Sequence, residues 1–92
     1  MIIIIKDALD GRNFPDAGDF VYNQMLSGVD SDEQFIWDMH DVSELPSMFL
    51  NMSLGRFIKE RGADFVKGKV RFKNINKSQA LRIVEYVEKI SK

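Results

Sequence analysis

Ninety-two residues leave room for one domain, 1–92, with one modest hydrophobic core. Hydrophobic residues at 45% and charged residues at 29% are globular composition and exclude a disordered chain. The lack of cysteine excludes disulfides, thiolate metal sites and thiol nucleophiles, and suits a reducing cytosol. The net charge of −1 conceals a division: residues 1–46 hold ten Asp or Glu against two Lys or Arg, a balance of −8, and residues 47–92 hold four against eleven, a balance of +7. Such asymmetry bears on association and steering rather than on fold, and two solvated faces that pair within the molecule account for it most simply.

"MIIIIKDALDG" has a short apolar run, no basic leader and a charge at Lys6, so it does not read as a signal peptide. No stretch approaches the roughly 18 apolar residues of a membrane span. Both observations lead to the expectation of a cytoplasmic protein. The run "IIIIK" at 2–6 is β-branched and apolar on both parities, which predicts a strand covered on both faces. "DALDGRNF" reads as a loop. A helix is predicted from Pro15 or Asp16, because proline suits a first turn and acids suit the positive helix end. Ala17, Val21 and Met25 share its buried face, flanked by Phe20 and Leu26.

"QFIWDM" at 34–39 predicts a second strand, with Phe35 and Trp37 pointing one way and Ile36 the other. A helix follows from Ser47 to Arg61, with Ser47 as its cap and Gly62 as its stop. On its wheel, Leu50, Leu54, Phe57 and Ile58 fall within about 100° of one another as a core face. Met48 and Met52 fall nearly opposite, beside Gly55, Arg56 and Lys59. Methionine is favoured on adaptable binding surfaces, so Met48, Met52, Arg56 and Lys59 form a candidate partner-binding face. "GKVRFKN" at 68–74 alternates Val70 and Phe72 against Lys69, Arg71 and Lys73, the pattern of an edge strand guarded by charge. The last helix is predicted from Asn76, with Ala80, Ile83, Val84, Val87 and Ile90 buried.

The order β-α-β-α-β-α implies an α/β fold with a small, mainly parallel sheet of about three to four strands and right-handed crossovers. Strand order stays open. Order 1-2-3 puts the crossover helices on one face; order 2-1-3 would cover both faces, as the isoleucine run demands.

Catalytic signatures fail. "GADFVKGK" has five residues between its glycines where a phosphate-binding loop has four, and valine follows its final lysine. His40, the sole histidine, stands between Asp38 and Asp41 at the end of the second strand, where ligands of parallel sheets gather. One His and two Asp fall short of a transition-metal donor set, so no metal, no cofactor and no enzymatic activity are expected. Asp38, His40, Asp41 and Ser47 remain a candidate switch or small-molecule site. Lys67, Lys69, Arg71, Lys73 and Lys77 are a candidate nucleic-acid stripe, against which the acidic first half argues.

"WDMHDVSELPSMFLNMSLGRF" resembles the signature of STAS domains, the fold of bacterial anti-sigma factor antagonists. In that signature a strand ends in Asp-Leu-Ser, and a loop leads to Asp-Ser-Ser-Gly at a helix start. Asp38 matches the strand-end Asp, Pro46-Ser47-Met48-Phe49 replaces Asp-Ser-Ser-Gly, and Leu54-Gly55-Arg56 matches the helix. The chain is more similar still to a STAS-like family with an apolar first strand and a Gly-x-Arg-x-Phe loop, here Gly11-Arg12-Asn13-Phe14. That family has Ser-Ser-Phe-Leu-Asn at the helix start, here Ser47 to Asn51, and "FKNI" before the last helix matches as well. The resemblance implies a βα superhelix with sequential strands. It also implies a regulatory role through a protein partner of the histidine-kinase-like ATPase type, with a homo-oligomer also conceivable. It leaves one sheet face to be covered by a terminal segment or another subunit. The second serine of the pair accepts phosphate in regulated antagonists. Met48 stands there, so the resemblance implies a retained surface without the switch.

Overall fold

The computed structural model describes residues 1–91. The elements are β1 (Ile2–Ile4), α1 (Ile5–Leu9), α2 (Phe14–Leu26), β2 (Phe35–Asp38), α3 (Ser47–Met52), α4 (Leu54–Arg61), α5 (Ala63–Lys69), β3 (Val70–Lys73) and α6 (Lys77–Ile90). The sheet has three parallel strands in the order β1-β2-β3, with Ile3 opposite Trp37 and Trp37 opposite Phe72. The fold is α/β with sequential βα units, and the alternative order 2-1-3 is excluded.

Sequential order has a direct consequence. Right-handed crossovers between neighbouring strands carry the helices between them to the same side. Ile3, Phe35, Trp37 and Val70 are buried under those helices, and Trp37 meets Phe49 and Phe72 edge-on with ring centroids 5.9 and 5.7 Å away. Ile2 and Ile4 point the other way and remain exposed. The expected strand at 2–6 with both faces covered is therefore corrected. β1 stops at Ile4, and Ile5 turns inward as the first residue of α1, which takes the end of the expected strand and the first residues, 7–9, of the expected loop.

α2 forms as its sequence dictates. The Asn13 side chain accepts a hydrogen bond from the Asp16 amide at 2.9 Å, Pro15 occupies the first turn, and Ala17, Val21 and Met25 are fully buried. At α6, Asn76 and Gln79 form a reciprocal capping box. Ile83 and Val87 are buried as expected, whereas Val84, expected in the stripe, is exposed.

The helix expected over 47–61 is broken. Ser53 leaves helical geometry at φ −116°, ψ −90°, and its buried hydroxyl donates to the Phe49 carbonyl at 2.9 Å. That back-bond to the residue four earlier competes with the helical ladder. Leu50, Leu54, Phe57 and Ile58 are nonetheless all buried. Each such side chain contributes about 1.5–3 kcal/mol by leaving water. Gly62 stops α4 at φ +90°, a conformation that favours glycine. The strand expected over 68–74 is corrected at its start, because residues 63–69 form α5. β3 begins only at Val70 and lies at the sheet edge with Arg71 and Lys73 exposed.

Candidate functional site

The site grows from the segment between β2 and α3. Three side chains of α6 hold it. Gln79 donates to the Ser43 carbonyl at 3.2 Å and also to that of Val42, Arg82 donates through Nε to the Leu45 carbonyl at 2.8 Å, and Ser78 donates to Glu44 at 2.8 Å. Gln79 is buried and Leu45 is in the core. Three carbonyls of this loop and the Glu44 carboxylate are thus bonded by side chains of α6, which fixes where α3 begins.

At the end of β2, Asp38 accepts a hydrogen bond from Asn74 Nδ2 at 2.9 Å and from the His40 amide at 3.0 Å. These two bonds, the Asn74 bond first, hold the Asp38 carboxyl below its ordinary pKa of 3.8. Asp41 adopts φ +59°, and its carboxylate lies 3.4 Å from Lys6 Nζ and 3.5 Å from His40 Nε2. Asp38, His40 and Asp41 are therefore gathered into one cluster, with His40 and Asp41 exposed and Asp38 half-buried. No group of three or more His, Cys, Asp or Glu with metal-holding geometry occurs among the described residues. The hydrogen bonds at Asp38 organise the turn; they do not aim a base at a cavity.

Ser47 is not with them. It is exposed and lines shallow grooves with Asn51, Tyr86 and Lys89 at the junction with α6, and Arg82 lies beside it. Its expected role as a cap is corrected as well. Pro46 occupies the cap position of α3, Ser47 is the first helical residue, and no side-chain cap bond forms there. Proline's fixed φ, here −73°, already prepares the chain to enter the helix.

The outward face proposed from the helical wheel is only half realised. Met48 is 56% exposed. Met52 is half-buried against α2: a Cβ built on Gly18 would lie 2.8 Å from Met52 Cβ and 2.6 Å from the Phe49 carbonyl oxygen. Arg56 is committed too, with its guanidinium 2.7 Å from Asp19 and 3.6 Å over the Tyr22 ring. Lys59 stays exposed. The wheel missed this because it treats 47–61 as one straight helix and says nothing about a neighbour that approaches at a glycine.

These contacts also orient the helices. Gly18 meets Phe49 and Met52, Asp19 meets Arg56, and Tyr22 hydrogen-bonds Glu60 at 2.6 Å. Both partners' numbers rise together, so α2 runs parallel to α3 and α4. One turn before Gly18 on α2 is Phe14, 45% exposed, and one turn before Met52 on α3 is Met48. Two large apolar side chains thus stand at the same end of a locked helix pair. Phe14 was not singled out in the sequence. Its only signal was an aromatic placed ahead of a helix proline, where a buried staple is as ordinary.

The basic stripe is partly spent on the chain itself. Lys69 donates to the Ser31 carbonyl, and Arg71 donates to the Lys67 carbonyl at 2.8 Å.

A three-stranded parallel sheet built from sequential βα units, with a loop and a short helix displayed at the strand ends, defines a STAS-like α/β domain. The family model described as a STAS-like domain of unknown function (DUF4325) matches residues 17–80, from α2 into α6, and the chain belongs to that family. The Gly11 to Phe14 loop and the isoleucine strand, which carried part of the resemblance, lie before the matched span. No curated protein and no solved structure matches the chain. No helix among the described residues is long and apolar enough to cross a membrane.

Proposed function

We propose that this STAS-like domain is a non-enzymatic regulatory module that docks on a protein partner through the end of the helix pair where α2 and α3 begin. The observation that carries the reading is the placement of exposed Met48 and Phe14 at that end, on a scaffold held rigid by the Gly18 contact and by α6. Exposed apolar side chains are ordinary singly. Two at one end of a locked helix pair make an anchor, and binding energy concentrates in a few such contacts. The resemblance to anti-sigma factor antagonists points to a partner of the histidine-kinase-like ATPase type. Met48 at the phosphoacceptor position makes the surface constitutive. Among the described residues no nucleophile stands beside a positioned base, which supports a binding role over a catalytic one. Ser47 has no histidine beside it in its grooves, and His40 is exposed beside Asp41, which also pairs with Lys6.

A second reading, a small-molecule site, is favoured by the grooves around Ser47, where Tyr86, Arg82 and Lys89 converge. A calorimetric titration separates the two. The full chain, Met48→Asp and Phe14→Asp are each titrated with the purified histidine-kinase-like ATPase of the native host, with thermal melts in parallel. Lost binding at unchanged melting temperature supports the docking surface. Equal affinity in both variants, or turnover by the purified chain that His40→Ala or Ser47→Ala abolishes, overturns it.

A further inference from the structure

The two edges of the sheet differ in a way the fold alone does not require. β3 carries Arg71 and Lys73 exposed on the uncovered face, with Lys69 just before it, the usual defence of an edge strand against pairing. β1 carries Ile2, Ile3 and Ile4, with no charged side chain before Lys6; the Met1 ammonium lies on the β2 side, 3.1 Å from the Gln34 carbonyl oxygen and 3.6 Å from Glu33. Ile36 N–H donates to the Met1 carbonyl at 2.8 Å, so the main chain of residues 1 and 3 faces β2. By alternation, the N–H and C=O of Ile2 and the N–H of Ile4 face the free edge. The side chains of Ile2 and Ile4, 58% and 48% exposed, stand on the uncovered face next to Ile36. A groove of about 380 Å³ runs beside the strand, bounded by Asp7, Arg12, Phe20 and Gln24. Asp7 and Arg12 take part in none of the ion pairs among the described residues.

We propose that the β1 edge pairs with β1 of a second copy of this chain, antiparallel about a two-fold axis, to give a continuous six-stranded sheet. The occupant follows from self-complementarity. A two-fold contact sets each patch against itself, so it needs a strand edge with free donors and acceptors, an apolar ridge that can face its own image, and both signs of charge on one groove. Ile2 and Ile4 supply the first two, and Asp7 and Arg12 supply the third. A foreign strand would gain the main-chain bonds of only three residues, whereas a second copy also joins two isoleucine ridges across the uncovered face. This surface is separate from the one around Met48 and Phe14.

The test is sedimentation equilibrium of the full chain, tagged at its C-terminus, from low micromolar to submillimolar concentration. The variants are Ile4→Lys, Ile2→Lys and Met48→Asp, with circular dichroism confirming that each is folded. The wild type is expected to dimerise. Either lysine should weaken the dimer by roughly tenfold or more, because the two-fold would bring two like charges close together on one short apolar ridge, and Met48→Asp should leave it intact. Asp7→Arg should weaken it, and Arg12→Asp added to Asp7→Arg should restore it. A wild type that stays monomeric throughout, a dimer that survives both lysines, or a dimer lost in Met48→Asp overturns the proposal.

Discussion

Replacing Gly18 by alanine tests the contact that holds the candidate surface together. The added Cβ would lie 2.6 Å from the Phe49 carbonyl oxygen and 2.8 Å from Met52 Cβ. An unstrained carbon–oxygen contact needs about 3.3 Å, so α2 and α3 would have to part by roughly two-thirds of an ångström. The oxygen cannot yield freely, because it accepts the Ser53 hydroxyl at 2.9 Å within the buried break between α3 and α4. Overpacking of this kind costs about 1–3 kcal/mol, against a gain of about 1 kcal/mol for alanine over glycine inside a helix. The expected balance is a loss of up to about 2 kcal/mol, a fall in Tm of up to roughly 15 °C for a domain of this size. Gly68 is the matched control. It lies in α5, and a Cβ there would meet nothing within 4 Å. Gly68→Ala should therefore raise stability by about 0.5 kcal/mol. Both are measured by calorimetric melting at one protein concentration, since dimerisation would make Tm concentration-dependent. A Gly18→Ala protein that melts at or above the wild type would show that the close approach of α2 and α3 does not exist.

Asn76→Ala removes the capping box of α6 and should cost about 1 kcal/mol in chemical denaturation, with no change in the denaturant slope. Tyr22→Phe breaks the hydrogen bonds from Tyr22 to Glu60 at 2.6 and 2.9 Å and should cost about 1 kcal/mol. In the wild type the Glu60 bond, aided by burial, raises the Tyr22 pKa above 10.0. The native state thus favours the neutral phenol. That contribution is complete below the unfolded pKa and is lost as pH rises through the folded one, which an alkaline absorbance titration reads directly. For Asp38, with a folded pKa below 3.8, the sign reverses: its contribution is present above the unfolded value and disappears as pH falls through the folded one. Asn74→Ala should move the Asp38 carboxyl back toward its ordinary value in an NMR titration, and an unmoved titration would remove Asn74 as the main cause.

The local grammar of the chain determined a good part of this molecule. Asn13, Pro15 and Asp16 start α2, and Asn76 starts α6, because a cap needs only residues three or four apart. Ala17, Val21 and Met25, and likewise Leu50, Leu54, Phe57 and Ile58, declared their buried faces by period alone. Alternation around Val70 and Phe72 marked the guarded edge strand, and the motif from Trp37 to Phe57 carried the resemblance that the family model bears out. What period cannot state is what lies opposite a face. The isoleucine run read as a strand buried on both sides; only the sequential strand order, which sends all crossovers to one side, left Ile2 and Ile4 bare. Met52 and Arg56 read as free, but α2 approaches closely at Gly18 and occupies them with its backbone, Asp19 and Tyr22. Phe14 and Met48, 34 positions apart in sequence, are both exposed near the starts of two parallel helices. Such relations are set by the packing of distant segments, and a single strand or helix does not encode its neighbour.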